Sequence, residues 1–89
     1  MKESSITTAI RRRLESDGWL VLKVHGGNMQ AAGWPDLMAF QAGVTLFLEV
    51  KKPGERPTKL QEHRLKELQR RGFVADVVTS VEDVERLLA

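Results

Sequence analysis

Between Pro35 and Lys51 the chain carries two apolar runs separated by a turn, with all the charge of this stretch at one end. Leu37-Met38-Ala39-Phe40 follows Pro35-Asp36, Gln41-Ala42-Gly43 supplies the turn, and Val44-Thr45-Leu46-Phe47-Leu48 leads into Glu49-Val50-Lys51. Short apolar runs of this kind, bounded by Pro and Gly, form strands, and the two together form a hairpin. Successive strand residues alternate faces. Glu49 and Lys51 therefore share one side, while Val44, Leu46, Leu48 and Val50 share the other. One face is expected to be core and the other free to hold a site. If the loop contains an even number of residues, Leu37 pairs with Leu48 and Asp36 stands opposite Glu49. Directly opposed residues have Cβ atoms about 4.5–5.5 Å apart, which lets two carboxylates hold one divalent cation. A three-residue loop with Gly43 as its bulge would shift the parity and separate them.

The flanking segments supply helices and two more strands. Ile6, Ala9, Ile10 and Leu14 recur at helical spacing, which predicts a helix over 4–17 with Gly18 as its stop. Glu3 lies one turn before Ile6 on the same stripe, aimed at the end of the sheet; a helix-start acid favoured by the macrodipole is the simpler role for it. Trp19 to His25 reads as the first strand, ended by Gly26-Gly27-Asn28. Lys23 and His25 share a face of that strand and approach the loop leading to Asp36. Gly26-Gly27 is not a phosphate loop, because no GxxxxGK[ST] pattern follows. The stretch 26–34, Asn28 included, reads as a rim able to touch a substrate backbone. Trp34 within it has the chemistry to stack on a base, although an indole beside a strand start more commonly packs in a core or a dimer contact.

After Lys51, the turn Lys52-Pro53-Gly54-Glu55-Arg56-Pro57 must leave the sheet. Thr58 and Gln61 then fit a capping box, and Gln61 also lies one turn before Leu65 and Leu68 on the inward stripe of the helix it opens. Gly72 ends that helix, Phe73–Val78 reads as a fourth strand, and Ser80 caps a last helix bearing Val84, Leu87 and Leu88. The order is αβββαβα, an α/β fold with a mixed central sheet flanked by helices.

Pro35-Asp36 followed by Glu49-x-Lys51 resembles the signature of the PD-(D/E)xK nucleases. With Gly33 before it, the Glu-Val-Lys form of the second half and a very short chain, the sequence is similar to the stand-alone VRR-NUC nucleases of phages and bacteria, with archaeal Holliday-junction resolvases as more distant relatives. The resemblance implies a restriction-endonuclease-like core. It also implies a metal-dependent DNA endonuclease in which Asp36, Glu49 and the Val50 carbonyl hold Mg²⁺ or Mn²⁺, with Glu3 as a further ligand from the first helix. Lys51 would orient or help deprotonate the attacking water, and Gln61 would stand near metal and substrate. A homodimer acting on branched DNA, a four-way junction above all, follows from the same resemblance. The ordinary alternative for the charged residues is an ion pair on a sheet rim. The alternatives for function are a non-catalytic DNA-binding or targeting module, or a nuclease acting on linear or flapped DNA or on RNA.

Charge distribution agrees with a polyanion partner. From Lys51 to Arg71 there are eight basic residues against three acidic ones, whereas the segment from Asp76 onward is acidic. Lys52, Arg56 and Lys59 lie nearest the charged strand end and are the candidates, with Lys23, His25 and Asn28, for contact with nucleic acid. In the far half of the helix, Glu–Lys pairing on a solvated face is the expected use of the charges. The 89 residues are expected to form one domain over 1–89. The lack of cysteine excludes disulfides and thiolate metal sites and fits a reducing cytoplasm. With no run of roughly 20 apolar residues, no membrane partner is expected. Nor is a small-molecule cofactor.

Overall fold

A computed structural model describes residues 1–24 and 32–89. Helix α1 spans Glu3–Ser16, strands β1 Leu20–Lys23, β2 Leu37–Gln41 and β3 Val44–Val50 follow, then helix α2 Lys59–Arg70, strand β4 Val74–Val78 and helix α3 Val81–Leu88. The strands form one sheet in the order β1-β2-β3-β4, antiparallel up to β3 and parallel between β3 and β4. This is the mixed αβββαβα sheet with flanking helices expected of the sequence. No described helix is long and apolar enough to cross a membrane.

The hairpin loop settles the register. Ala42 and Gly43 both have positive φ, 49° and 80°, the conformation of a two-residue type I′ turn. Leu37 accordingly pairs with Leu48 and Gln41 with Val44. The ladder ends at Leu37 and Leu48, and the even parity sets Asp36 opposite Glu49 one step beyond it.

Both helices that precede a strand stop in the same way. Gly18, at φ 92°, follows α1, and Trp19 N–H donates to the Leu14 carbonyl. Gly72, at φ 89°, follows α2, and Phe73 N–H donates to the Leu68 carbonyl. These are Schellman closures, in which the residue after the glycine belongs to the helix end. Trp19 and Phe73 were expected to open strands; each is committed to the preceding helix, and the strands begin one residue later.

The sheet is covered on both faces. On one, α1 and α3 bury Ile6, Ile10, Leu14 and Val84 against Val21, Leu37, Ala39, Leu46, Leu48, Val50 and Val78. On the other, α2 packs Leu65 and Leu68 against Phe47 and Ala75, with Trp34, Met38 and Val77 at the margin. The expectation of one core face and one free face is therefore corrected. β3 is buried from Leu46 to Val50 without a break, because the parallel crossover through α2 roofs the second face. Only the end of that face, where Glu49 follows Phe47, remains for a polar site. Val44, expected with the core-facing residues, is 45% exposed at the hairpin tip.

Candidate active site

Where β2 and β3 end, the backbone ladder is completed by a side chain. Pro35 is buried and has no N–H, and beyond it the Asp36 carboxylate accepts a hydrogen bond from the Val50 N–H at 2.9 Å. The Asp36 carbonyl accepts from Val24 N–H at 2.8 Å, and Lys51 N–H donates to the Val78 carbonyl at 3.0 Å. Asp36 is thus fixed from both its main chain and its side chain, and Val50 is held between the two acidic positions. Val50 itself is fully buried in the core beneath α1 and α3.

Glu49 is only 2% exposed, and its Oε1 has no hydrogen-bond partner. Its Oε2 lies 3.7 Å from Lys51 Nζ, a loose ion pair whose lysine is also largely covered. Burial first, and then the neighbouring Asp36 carboxyl, push the Glu49 carboxyl up to about 8; Lys51 opposes the shift and Glu3 adds to it. A buried carboxylate facing a second acid with an oxygen left unpaired costs several kcal/mol unless something positive joins it. A divalent cation fits this donor set. Two carboxylates supply hard oxygens, and Mg²⁺ keeps several of its own waters. Among the described residues no group of three acidic or histidine side chains surrounds the position. Glu3, half-buried at the start of α1, reaches Glu49 through its field and does not close a compact three-acid cluster.

Gln61 performs the capping role. Its Oε1 accepts from Thr58 N–H at 2.8 Å while its own N–H donates to Thr58 Oγ1 at 3.1 Å. The cap uses the amide oxygen and not the NH₂ group. Lys52, Arg56 and Lys59 are exposed along the turn and helix start that follow Lys51, and Lys23 is exposed at the end of β1, opposite Leu37. His25 and Asn28 lie outside the described residues.

Two further residues support the site. Gly33, at φ 77°, sits so close to α2 that a Cβ there would lie 2.7 Å from Leu60 Cγ and 3.0 Å from its backbone carbon. Arg64 Nε donates to the Ala32 carbonyl at 3.1 Å. Together they pin the segment before Asp36 to α2. Gly33 beside Pro35-Asp36 was a visible signal for a close approach; nothing in the sequence distinguished Arg64 from the other basic residues of its helix.

Comparison with known proteins agrees with this geometry. The family model described as archaeal Holliday junction resolvase (hjc) matches residues 2–77. A solved structure described as a VRR_NUC domain is 30% identical over 97% of this chain and 92% of its own, with a TM-score of 0.83. A second, a VRR_NUC domain protein, shares the fold at TM-score 0.81 and 20% identity, over 99% of this chain and 85% of its own. No curated protein matches the chain. From Glu3 at the head of α1 to the parallel strand β4, the segment that builds the sheet and its acidic end is the segment the family model spans, and the chain belongs to the archaeal Holliday junction resolvase family of nucleases.

Proposed function

We propose that this protein is a divalent-metal-dependent DNA endonuclease that cuts four-way junctions as a homodimer. The observation that carries the reading is the buried Glu49 carboxylate, unpaired at Oε1 and opposed to Asp36, with Lys51 alongside. Asp36, Glu49 and the Val50 carbonyl would hold Mg²⁺ or Mn²⁺, with the charge of Glu3 contributing from α1. The ion, when bound, neutralises the phosphate, makes a water nucleophilic and stabilises the leaving oxygen.

The chain's own groups have separate tasks. The Val50 N–H holds the Asp36 carboxylate in place, so its orientation is set before substrate arrives. Lys51, tethered to β4 through its own N–H, places an ammonium beside the carboxylates, where it orients the attacking water and offsets charge growing on the phosphate. Gln61, fixed at the first turn of α2 by the cap, has its NH₂ for the substrate strand. Lys52, Arg56 and Lys59 hold phosphates and set position, together with Lys23, His25 and Asn28.

A single site makes one nick, and resolving a junction takes two nicks related by its two-fold symmetry; a C₂ dimer supplies both. The family to which the chain belongs supports the DNA reading. With Mg²⁺, the protein should place paired, symmetry-related nicks in a labelled four-way junction and should scatter light as a particle of about 20 kDa, twice the chain's 10.0 kDa. A 10 kDa particle would remove the dimer, and equal rates on linear duplex would remove the junction preference.

A further inference from the structure

Beside Trp34 lies a cavity of about 190 Å³, closed on the α2 side by Arg64, Glu67, Leu68 and Arg71. The indole is held edge-on to Phe47, with centroids 5.6 Å apart and planes at 89°. Arg64 is fixed at both ends, to the Ala32 carbonyl and to Glu67 Oε1 at 3.0 Å. Arg71 Nη1 donates to the Glu67 carbonyl at 2.9 Å. The carboxylate of Glu67 is offset by Arg64, and His63 stands 3.3 Å from it. The lining thus combines a rigid aromatic, one aliphatic side chain and two guanidinium groups against a single acid.

That combination selects its occupant. An apolar peptide would desolvate two arginines, and a phosphate alone has no use for an indole. A nucleobase uses both, stacking on the aromatic and on guanidinium planes while its phosphate meets the remaining N–H groups. The volume is below the roughly 300 Å³ at which pockets for larger ligands begin, which suits one ring system. Trp34 stands two residues from Asp36, so their Cα atoms are at most about 7 Å apart, and with the rest of the lining on the C-terminal half of α2 the cavity lies within a few nucleotides of the acidic pair at about 3.4 Å per stacked nucleotide. Bases of an intact duplex are inaccessible to such a pocket.

On the reading of the site given above, we infer that the Trp34 cavity receives an unpaired nucleobase flanking the scissile phosphate, and that this contact makes the enzyme favour branch points over duplex. The test is an abasic scan of a four-way junction, with binding measured in EDTA to prevent cutting. For the wild-type protein, removing one base within a few nucleotides of the mapped nick should weaken binding roughly tenfold. In Trp34→Leu, which keeps an apolar group on Phe47, the same abasic substitution should have no further effect. If that variant fails to fold, the Trp19→Phe protein, whose only indole is Trp34, gives the answer: its fluorescence should be quenched by the intact junction and not by the abasic one. An abasic effect of equal size in wild type and Trp34→Leu, no abasic effect at any position, or equal quenching by both junctions would overturn the inference. Those results leave metal-dependent cutting untouched, whereas a wild-type protein that neither binds nor cuts DNA removes the nuclease reading and the pocket with it.

Discussion

Replacing Glu49 with Gln should make the metal-free protein more stable at alkaline pH and leave it nearly unchanged in acid. In the fold, burial and the facing Asp36 raise the Glu49 carboxyl from its ordinary 4.5 to about 8. Below pH 4.5 the folded and unfolded chains both hold the proton. Between 4.5 and 8 the unfolded chain has released it and the folded chain has not, so stability falls as pH rises, and above 8 the loss is complete. Across that interval, at about 1.4 kcal/mol per pH unit, the loss reaches about 5 kcal/mol as an upper bound, because water admitted to the site reduces the desolvation that dominates it. Small domains have only about 5–15 kcal/mol in all, so the effect is large. Gln keeps the shape and the hydrogen-bonding capacity and removes the ionisation. Urea unfolding in EDTA should therefore give a gap between variant and wild type that widens from pH 4.5 to pH 8. Adding Mg²⁺ at pH 8 should stabilise the wild type by RT ln(1 + [Mg²⁺]/Kd) and the variant far less. Parallel pH profiles in EDTA, or equal stabilisation by Mg²⁺, would refute the reasoning.

Three other outcomes are expected. The triple variant Lys52→Ala, Arg56→Ala, Lys59→Ala should bind DNA more weakly and lower the slope of log affinity against log salt by about 2 to 3, with turnover retained; an unchanged slope would show that the phosphates run elsewhere. Gly33→Ala should cost about 1–3 kcal/mol in urea unfolding, because φ 77° and the 3.0 Å approach to the Leu60 backbone leave a Cβ no room; an unaltered midpoint would contradict the close packing. Ala42→Asn should stabilise by up to about 1 kcal/mol, since Asn tolerates the left-handed φ of 49° and makes the favoured Asn-Gly turn with Gly43; a lowered midpoint would count against the type I′ loop.

Much of this molecule is written in local chemistry. Glycines at 18 and 72, the Thr58–Gln61 box and Ser80 mark helix ends that the structure reproduces. The parity of a two-residue loop carries the juxtaposition of Asp36 with Glu49. What local chemistry did not carry was long-range. Alternation along β3 suggested a bare second face, but burial there depends on where α2 lands after the crossover, and α2 lands on Phe47. Whether Glu3 approaches the acidic pair is likewise a matter of helix placement, and it contributes field without closing a cluster. Arg64 is one of eight basic residues between Lys51 and Arg71, and its bond to the Ala32 carbonyl joins residues far apart in sequence. Gln61 satisfied two descriptions at once, and the structure displays the cap.

The most direct test of the account is single-turnover cleavage of an end-labelled four-way junction by the wild type, Asp36→Ala, Glu49→Ala and Lys51→Ala, each with Mg²⁺ and with EDTA, after circular dichroism has shown all four folded. Cutting is expected of the wild type with Mg²⁺ and of no other combination. Cutting by folded Asp36→Ala, or by the wild type in EDTA, would contradict it.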